Sequence, residues 1–420
     1  MKILLKKAEI IDKTSPYHQQ LKDILIVDGL IANIETDIND EDALIFEHEN
    51  LMVSVGFVDT FTKIGEPGFE QNETFETAAL AAQAGGFTRI LMLPNTNPTI
   101  SNQSQVNYIN EKSKNLPVHI HSIGAISKNT EGKELAEMYD MFNHGAIAFS
   151  DGDLPVQSAA LFLKALQYVN SFNGTLIQKP VENSFTKLGS MNEGIVSTQL
   201  GIAGIPSFAE ILMIKRDIEL LRYSNGRLHI SGVSTIKGIN LIHEAKKEGL
   251  NITCSVTPHH LLFCDEDLVN YDSNLKVNPP LRTKTEMMAL RTAVVEGKID
   301  CIASHHVPLH SDYKDCEFDK ASFGMINLQT AFSVLQEVAP NLLITDIIDL
   351  FSHNARAIFN IPKNSIEVGE VAELTLFSTK DKFVLTKENN KSKSYNTSIF
   401  NRSLNGKILG TINKGKLFKN

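Results

Sequence analysis

The residues best placed to do chemistry in this sequence lie where short apolar runs give way to polar turns. A run over 55–60 ends in Asp59-Thr60-Phe61-Thr62-Lys63, and another presents Asn95 in LMLPNTNP. Further on come Phe149-Ser150-Asp151-Gly152-Asp153, Gln178-Lys179-Pro180, Ser231-Gly232 and Ser304-His305-His306. If these runs are strands, their ends are where hydrolysis by metal-activated water would place several histidines and carboxylates. What the sequence offers is one good carboxylate, Asp151, with two lysines and a glycine. A lysine ammonium has no lone pair to give a metal ion and repels it by charge.

The remaining histidines divide by context. His119 and His121 share one face of a strand candidate, a possible metal pair that lacks a third ligand nearby. His259-His260 follow SVTP and suit loop packing or ligand contact. His305 sits at a strand end, where it suits either acid–base work near neutral pH or polar filling. His243-Glu244 is followed by Lys247 where a second histidine would complete a zinc helix motif, so that motif fails. No nucleophile elbow and no phosphate-binding Gly-rich loop occurs.

These residues need elements to position them. Strand candidates fall at 55–60, 87–93, 118–124, 146–150, 174–179, 227–232, 251–256 and 300–304. Helical stretches separate most of them. ETFETAALAAQAGG has Thr74 to cap it and Gly85-Gly86 to end it, and KTEMMALRTAVVEGK is a second amphipathic segment. Eight strands alternating with helices predict a (β/α)8 TIM barrel over 53–364, with activity at the C-terminal strand ends. A doubly wound open sheet is the rival, and it would carry a Gly-rich turn that FTKIGEPGFE is not. Both termini are β-rich: KILLKKAEII and ILIVDGLIANIE at the start, VAELTLFS and GKILGTINKGKLF at the end. Residues 1–52 and 365–420 are therefore expected to build one composite β-sandwich domain.

Whole-chain properties narrow the class. With 42% hydrophobic and 21% charged residues, the 420-residue chain can bury a large core. A net charge of -9 argues against nucleic acid or an anionic membrane as partner. The N-terminal MKILLKKAEIIDK starts like a signal peptide, but acids interrupt it and no small-residue cleavage site follows. No apolar run approaches ~18 residues. Cys254, Cys264, Cys301 and Cys316 show no metal or redox spacing and read as free thiols, so a cytoplasmic location is expected.

Several longer blocks resemble one family, dihydroorotase of the amidohydrolase superfamily. They are GEPGFEQNETFETAALAAQAGGFTRILMLPNTNP, HISGVST, TPHHLLFCDED, KVNPPLR, FDKASFGMINLQTAF and SIEVGEVAELTLF, in family order across nearly the whole chain. The resemblance implies an amidohydrolase-type barrel, a place in pyrimidine biosynthesis and a zinc cofactor. It also implies where that zinc would be held, and there the sequence departs. The two histidines of the family's D-x-H-x-H fall on Phe61 and Lys63, with Asp59 kept. The strand 5 and strand 6 histidines fall on Lys179 and Gly232, and the catalytic aspartate on His305, with the last histidine of that motif on Leu309. The substrate-gripping arginine falls on Gly65. Asp151 matches the metal-bridging carboxylate position, although the family's D-D-G has become Asp-Gly-Asp. Asn95 and Asn278 match substrate-contacting positions.

The resemblance therefore implies a silent dihydroorotase homologue: no zinc or other cofactor, no catalytic residue, and Asp151, Asn95 and Asn278 as vestiges of a ligand site. Pseudo-dihydroorotases of this kind assemble with aspartate transcarbamoylase, which is the implied partner, and a homo-oligomer is expected. The acidic loop HSDYKDCEFDKASF is a candidate surface. Two alternatives stand beside this: an amidohydrolase acting on a cyclic amide through a metal-poor site with His305 and Asp151, and an anion-binding sensor. A structural expectation follows as well, that Lys63 and Lys179 approach Asp151 and supply positive charge at the mouth.

Overall fold

The computed structural model describes residues 1–420. All eight predicted barrel strands are present: β1 (Phe57–Thr62), β2 (Phe87–Met92), β3 (His119–Gly124), β4 (Ala148–Phe149), β5 (Leu176–Gln178), β6 (Leu228–Ile230), β7 (Ile252–Val256) and β8 (Cys301–Ile302). Neighbours pair in sequence order, every pair parallel. The first and last strands meet through a parallel bridge between Thr62 and His306, reinforced by the Lys63 amide donating to the His306 carbonyl at 2.9 Å. Asp59 belongs to the same closure. Its carboxylate accepts from the Ser304 amide at 2.6 Å and the Ser304 hydroxyl at 2.8 Å, tying β1 to the end of β8.

The helices form where capping residues allow them. Phe75–Ala84 starts at Thr74, whose hydroxyl accepts from the Thr77 amide, and stops at Gly85. Lys284–Val295 starts at Thr283 in the same manner and precedes β8. The barrel's parallel strands are buried on both faces, so apolar residues fill two layers. One lies between strands and helices. The other fills the lumen with Val58, Leu91, Ile123, Ile177 and Ala303, and Phe359 from the C-terminal helical segment joins them.

A second eight-stranded sheet joins both chain ends. Lys2–Ile10, Leu21–Val27, Leu30–Glu35, Leu44–Glu47 and Met52–Val55 come from the start, and Leu374–Val384, Ser403–Asn413 and Lys416–Lys419 from the end. Val55 pairs antiparallel with Leu374, and the chain enters β1 two residues after Val55. No helix is long and apolar enough to cross a membrane.

Candidate functional site

The C-terminal ends of the barrel strands converge as expected, and the side chains there fill the mouth with two devices. The first is an aromatic plug. Phe61, the fifth residue of β1, points into the lumen and extends its apolar core upward. The His305 ring stacks on it, with centroids 4.0 Å apart and planes 13° from parallel. Gly232 makes room for that ring: a Cβ there would lie 2.5 Å from His305 Cε1, and its φ of +76° is one that side-chain-bearing residues rarely adopt. His305 Nε2 and the Ser231 hydroxyl are 2.9 Å apart. Burial, together with the nearby Lys179 charge, pushes the His305 pKa well below the usual histidine value, so the ring is neutral at pH 7.

The second device is a cluster of charges. Lys63 Nζ donates to Asp153 Oδ2 at 2.7 Å, and Lys179 Nζ lies 3.7 Å from Asp153 Oδ1. The two lysines do converge on a carboxylate, but it is Asp153 and not Asp151. The reason is local. Asp151 turns away to accept from the Ile126 and Ser127 amides, both at 2.9 Å, and from the Ser127 hydroxyl. Burial raises its pKa to about 6 against those hydrogen bonds. Asp153 is pushed up by burial and pulled down further by the Lys63 and Lys179 charges, ending well below the ordinary carboxylate range. Lys179, only 3% exposed, is lowered by burial, with Asp153 opposing.

The other sequence-predicted residues separate by what they touch. Asn95 has both ends of its amide engaged by the same loop: Nδ2 donates to the Asp151 carbonyl at 3.0 Å, and Oδ1 accepts from the Asp153 amide at 2.9 Å. It braces the turn that presents Asp153. Asn278 faces the mouth, and its Oδ1 is buried without a partner. Gly65 has no space for a side chain, since a Cβ would stand 2.1 Å from the Phe69 carbonyl oxygen.

Of the other histidines, His260 is held between the Thr257 hydroxyl at 2.7 Å and the Pro279 carbonyl at 3.0 Å. His306 lies 3.2 Å from Glu73 and accepts from the Asn327 amide. His119 and His121 do lie on one face, their rings 6.3 Å apart, but His121 sits 3.1 Å from the Arg89 guanidinium, an unsuitable neighbour for a bound cation. No group of three or more His, Cys, Asp or Glu side chains is arranged to hold a metal ion.

A cavity of about 240 Å³ opens between these devices and the loop that follows β8. Asp153, Lys179, His259, Asn278 and His305 supply its polar wall, and Val277, Val307, Phe323 and Met325 its apolar wall. The post-β8 loop is pinned from below. Lys276 Nζ donates to the Phe318 and Asp319 carbonyls at 2.9 Å each, and Lys314 Nζ to the Ser273 carbonyl at 2.8 Å. The same loop turns Asp312, Asp315, Glu317 and Asp319 outward. Sequence reasoning missed Asp153 and the cavity's loop residues. The displaced carboxylate in Asp-Gly-Asp was the available signal for Asp153.

An eight-stranded parallel barrel joined to a sheet from both chain ends is the architecture of amidohydrolases. L-hydantoinase (dihydropyrimidinase) from Arthrobacter aurescens superposes with a TM-score of 0.85 at 21% identity, over 99% of this chain and 95% of its own. A D-hydantoinase superposes with a TM-score of 0.84 at 17% identity. At these identities the likeness concerns the fold.

Sequence comparison is more specific. Residues 50–238 match the family model described as "Dihydro-orotase-like". The chain is 36% identical to dihydroorotase of Syntrophus aciditrophicus over 422 aligned positions, covering 99% of each chain. It is 38% identical to dihydroorotase of Caldicellulosiruptor saccharolyticus, covering 99% of this chain and 98% of the relative. The chain belongs to the dihydroorotase-like family.

Proposed function

We propose that this chain is a catalytically silent member of its family, acting in pyrimidine biosynthesis as a structural or regulatory partner of aspartate transcarbamoylase. One observation carries the reading. The positions where the resemblance places zinc ligands and the catalytic base are occupied by a phenyl ring, two ammonium groups, a glycine and a neutral imidazole packed on the phenyl ring. Neither phenyl nor ammonium donates a lone pair, and glycine has no donor side chain. The two lysines would also repel a divalent ion placed between them. The residues present do not fit zinc, so the chain lacks the donors that would hold a metal-activated water at the mouth.

The metal-poor hydrolase reading needs His305 and Asp151 side by side at the mouth, and it draws little support from an Asp151 whose oxygens face Ile126 and Ser127. The retained fold with its ligand positions replaced favours a role at a surface, and the outward acidic face of the post-β8 loop is the surface we assign to it.

Two measurements test this. Metal analysis of the purified chain together with a dihydroorotate hydrolysis assay is expected to give substoichiometric zinc and no turnover. One zinc or more per chain with turnover would overturn silence. Light scattering of the chain mixed with its own organism's aspartate transcarbamoylase is expected to give a joint complex larger than either protein alone. Two independent species would remove that partner.

A further inference from the structure

A second cavity, of about 500 Å³, lies between the post-β8 loop and the segment over 393–400, and it shares no lining residue with the cavity at the mouth. Lys314 lines it and is unlike the other lysines there. It is 4% exposed, and its Nζ pairs with no carboxylate but donates to two backbone carbonyls, Ser273 at 2.8 Å and Lys276 at 3.2 Å. Two acceptors match a neutral amine, which has two N–H bonds and keeps its lone pair. An ammonium would carry a third N–H that finds no acceptor here. Burial, with the nearby Lys276 charge adding to it, brings the Lys314 pKa down to about 7 against the opposing pull of Asp272 and the Cys316 thiol.

The rest of the lining is cationic and aromatic. Lys387 and Lys393 reach the cavity from the exposed side, and Asp315 is its one carboxylate. Neither lysine is held in an ion pair; Lys393 Nζ donates to the Glu70 carbonyl at 2.7 Å. The wall is therefore positive even with Lys314 uncharged. Tyr395 and Phe400, ring centroids 6.3 Å apart, supply the aromatic side.

We propose that Lys314 is a covalent site for a small aromatic aldehyde that carries a phosphate. The amine lone pair adds to the aldehyde carbon, and an amine proton passes to the oxygen. The carbinolamine then loses water: the C–N bond becomes an imine, the C–O bond breaks, and both amine hydrogens leave with the aldehyde oxygen. Nothing is oxidised or reduced. Once protonated from solvent, the imine nitrogen has one N–H and keeps one of its two carbonyl acceptors. Lys387 and Lys393 hold the phosphate, and the ring lies beside Tyr395 and Phe400.

The test treats the full chain with about one equivalent of pyridoxal 5′-phosphate at about pH 7.5, where an exposed lysine is a neutral amine only ~0.1% of the time. Imine absorbance is recorded, borohydride fixes the adduct, and peptide mass spectrometry locates it. One label per chain is expected, on Lys314, and Lys314→Met is expected to lose it. Pyridoxal, which lacks the phosphate, should react at least about tenfold more weakly, and so should pyridoxal 5′-phosphate with the Lys387→Met/Lys393→Met double variant. Should Lys314→Met fail to fold, the position of the label in the parent chain decides. Label spread over exposed lysines, or none on Lys314, overturns the covalent site. Equal reaction of pyridoxal and its phosphate, or an unaffected double variant, overturns the phosphate-bearing ligand.

Discussion

Two clusters in this chain, one buried and one partly exposed, share one formula, a carboxylate between two cations, and differ in how completely the carboxylate is met. At the seam between the barrel and the terminal sheet, Glu373 takes a fork from Arg89, Nε at 2.8 Å and Nη2 at 2.7 Å. It also accepts from Arg356 at 2.6 Å and Thr88 at 2.7 Å. At the mouth, Asp153 has one lysine at bonding distance and another beyond it. Guanidinium groups present planar forks that match a carboxylate, whereas a lysine presents a point charge on a flexible stem. The seam is a closed network that fixes one chain segment to another. The mouth has a donor to spare, facing a cavity. The same formula therefore closes a network in one place and leaves it open in the other.

The largest expected effect breaks the seam. Arg356→Met leaves Glu373 buried with part of its compensation gone, and such half-broken pairs cost ~3–5 kcal/mol. Denaturant unfolding should show this as a large fall in midpoint, and a change under ~1 kcal/mol would dissolve the contrast with the mouth.

Next is Gly232→Ala. The new methyl meets the His305 ring and must also hold a left-handed φ, for a combined loss of roughly 3 kcal/mol. Adding His305→Ala should recover the steric share and leave the backbone share. If the double variant is no more stable than the single, the ring is not what the glycine accommodates.

pH separates the two ends more finely. Burial raises the Glu373 pKa, but the Arg89 hydrogen bonds and the charges of Arg356 and Arg89 overcome it and bring it to about 2. Its contribution is therefore full above the ordinary value of 4.5 and fades as pH falls toward about 2. Asp151 at the mouth goes the other way. Its folded pKa of about 6 lies above the ordinary 3.8, so the folded chain takes up its proton first, and the linked stability is present below 3.8 and lost as pH rises through about 6. Thermal unfolding from pH 7 to 3 should show the deficit of Glu373→Gln against the parent shrinking. The deficit of Asp151→Ala should grow over the same range. Parallel pH curves for parent and variants would refute both assignments.

How much of this was legible in the sequence follows from what each feature depends on. The eight strands, the helix capped by Thr74 and the amphipathic helix before the last strand rest on local periodicity and capping, which the sequence states directly. That Phe61 and Lys63 depart from a zinc-binding pattern needed only the motif. The partner of the lysines was misplaced by two residues because a carboxylate's direction depends on which backbone amides surround it. The Ile126–Ser127 amides that capture Asp151 come from the loop after β3, far from it in sequence. The exchange of space between Gly232 and His305 was hidden for the same reason: it exists only once β6 and the end of β8 face each other.

The smallest expected effect on stability is the most informative about the mouth. Lys179→Met replaces a buried ammonium that has no hydrogen-bond acceptor with an apolar chain of similar length, and Asp153 keeps Lys63. The desolvation cost of that ammonium disappears, while the attraction lost is a pair at 3.7 Å. The two changes nearly cancel, so the variant should stay within ~1 kcal/mol of the parent and on either side of it, in contrast to Arg356→Met. A loss of ~3 kcal/mol or more in Lys179→Met would instead make the mouth cluster a second brace like the seam, and the contrast between the closed seam and the open mouth would fall.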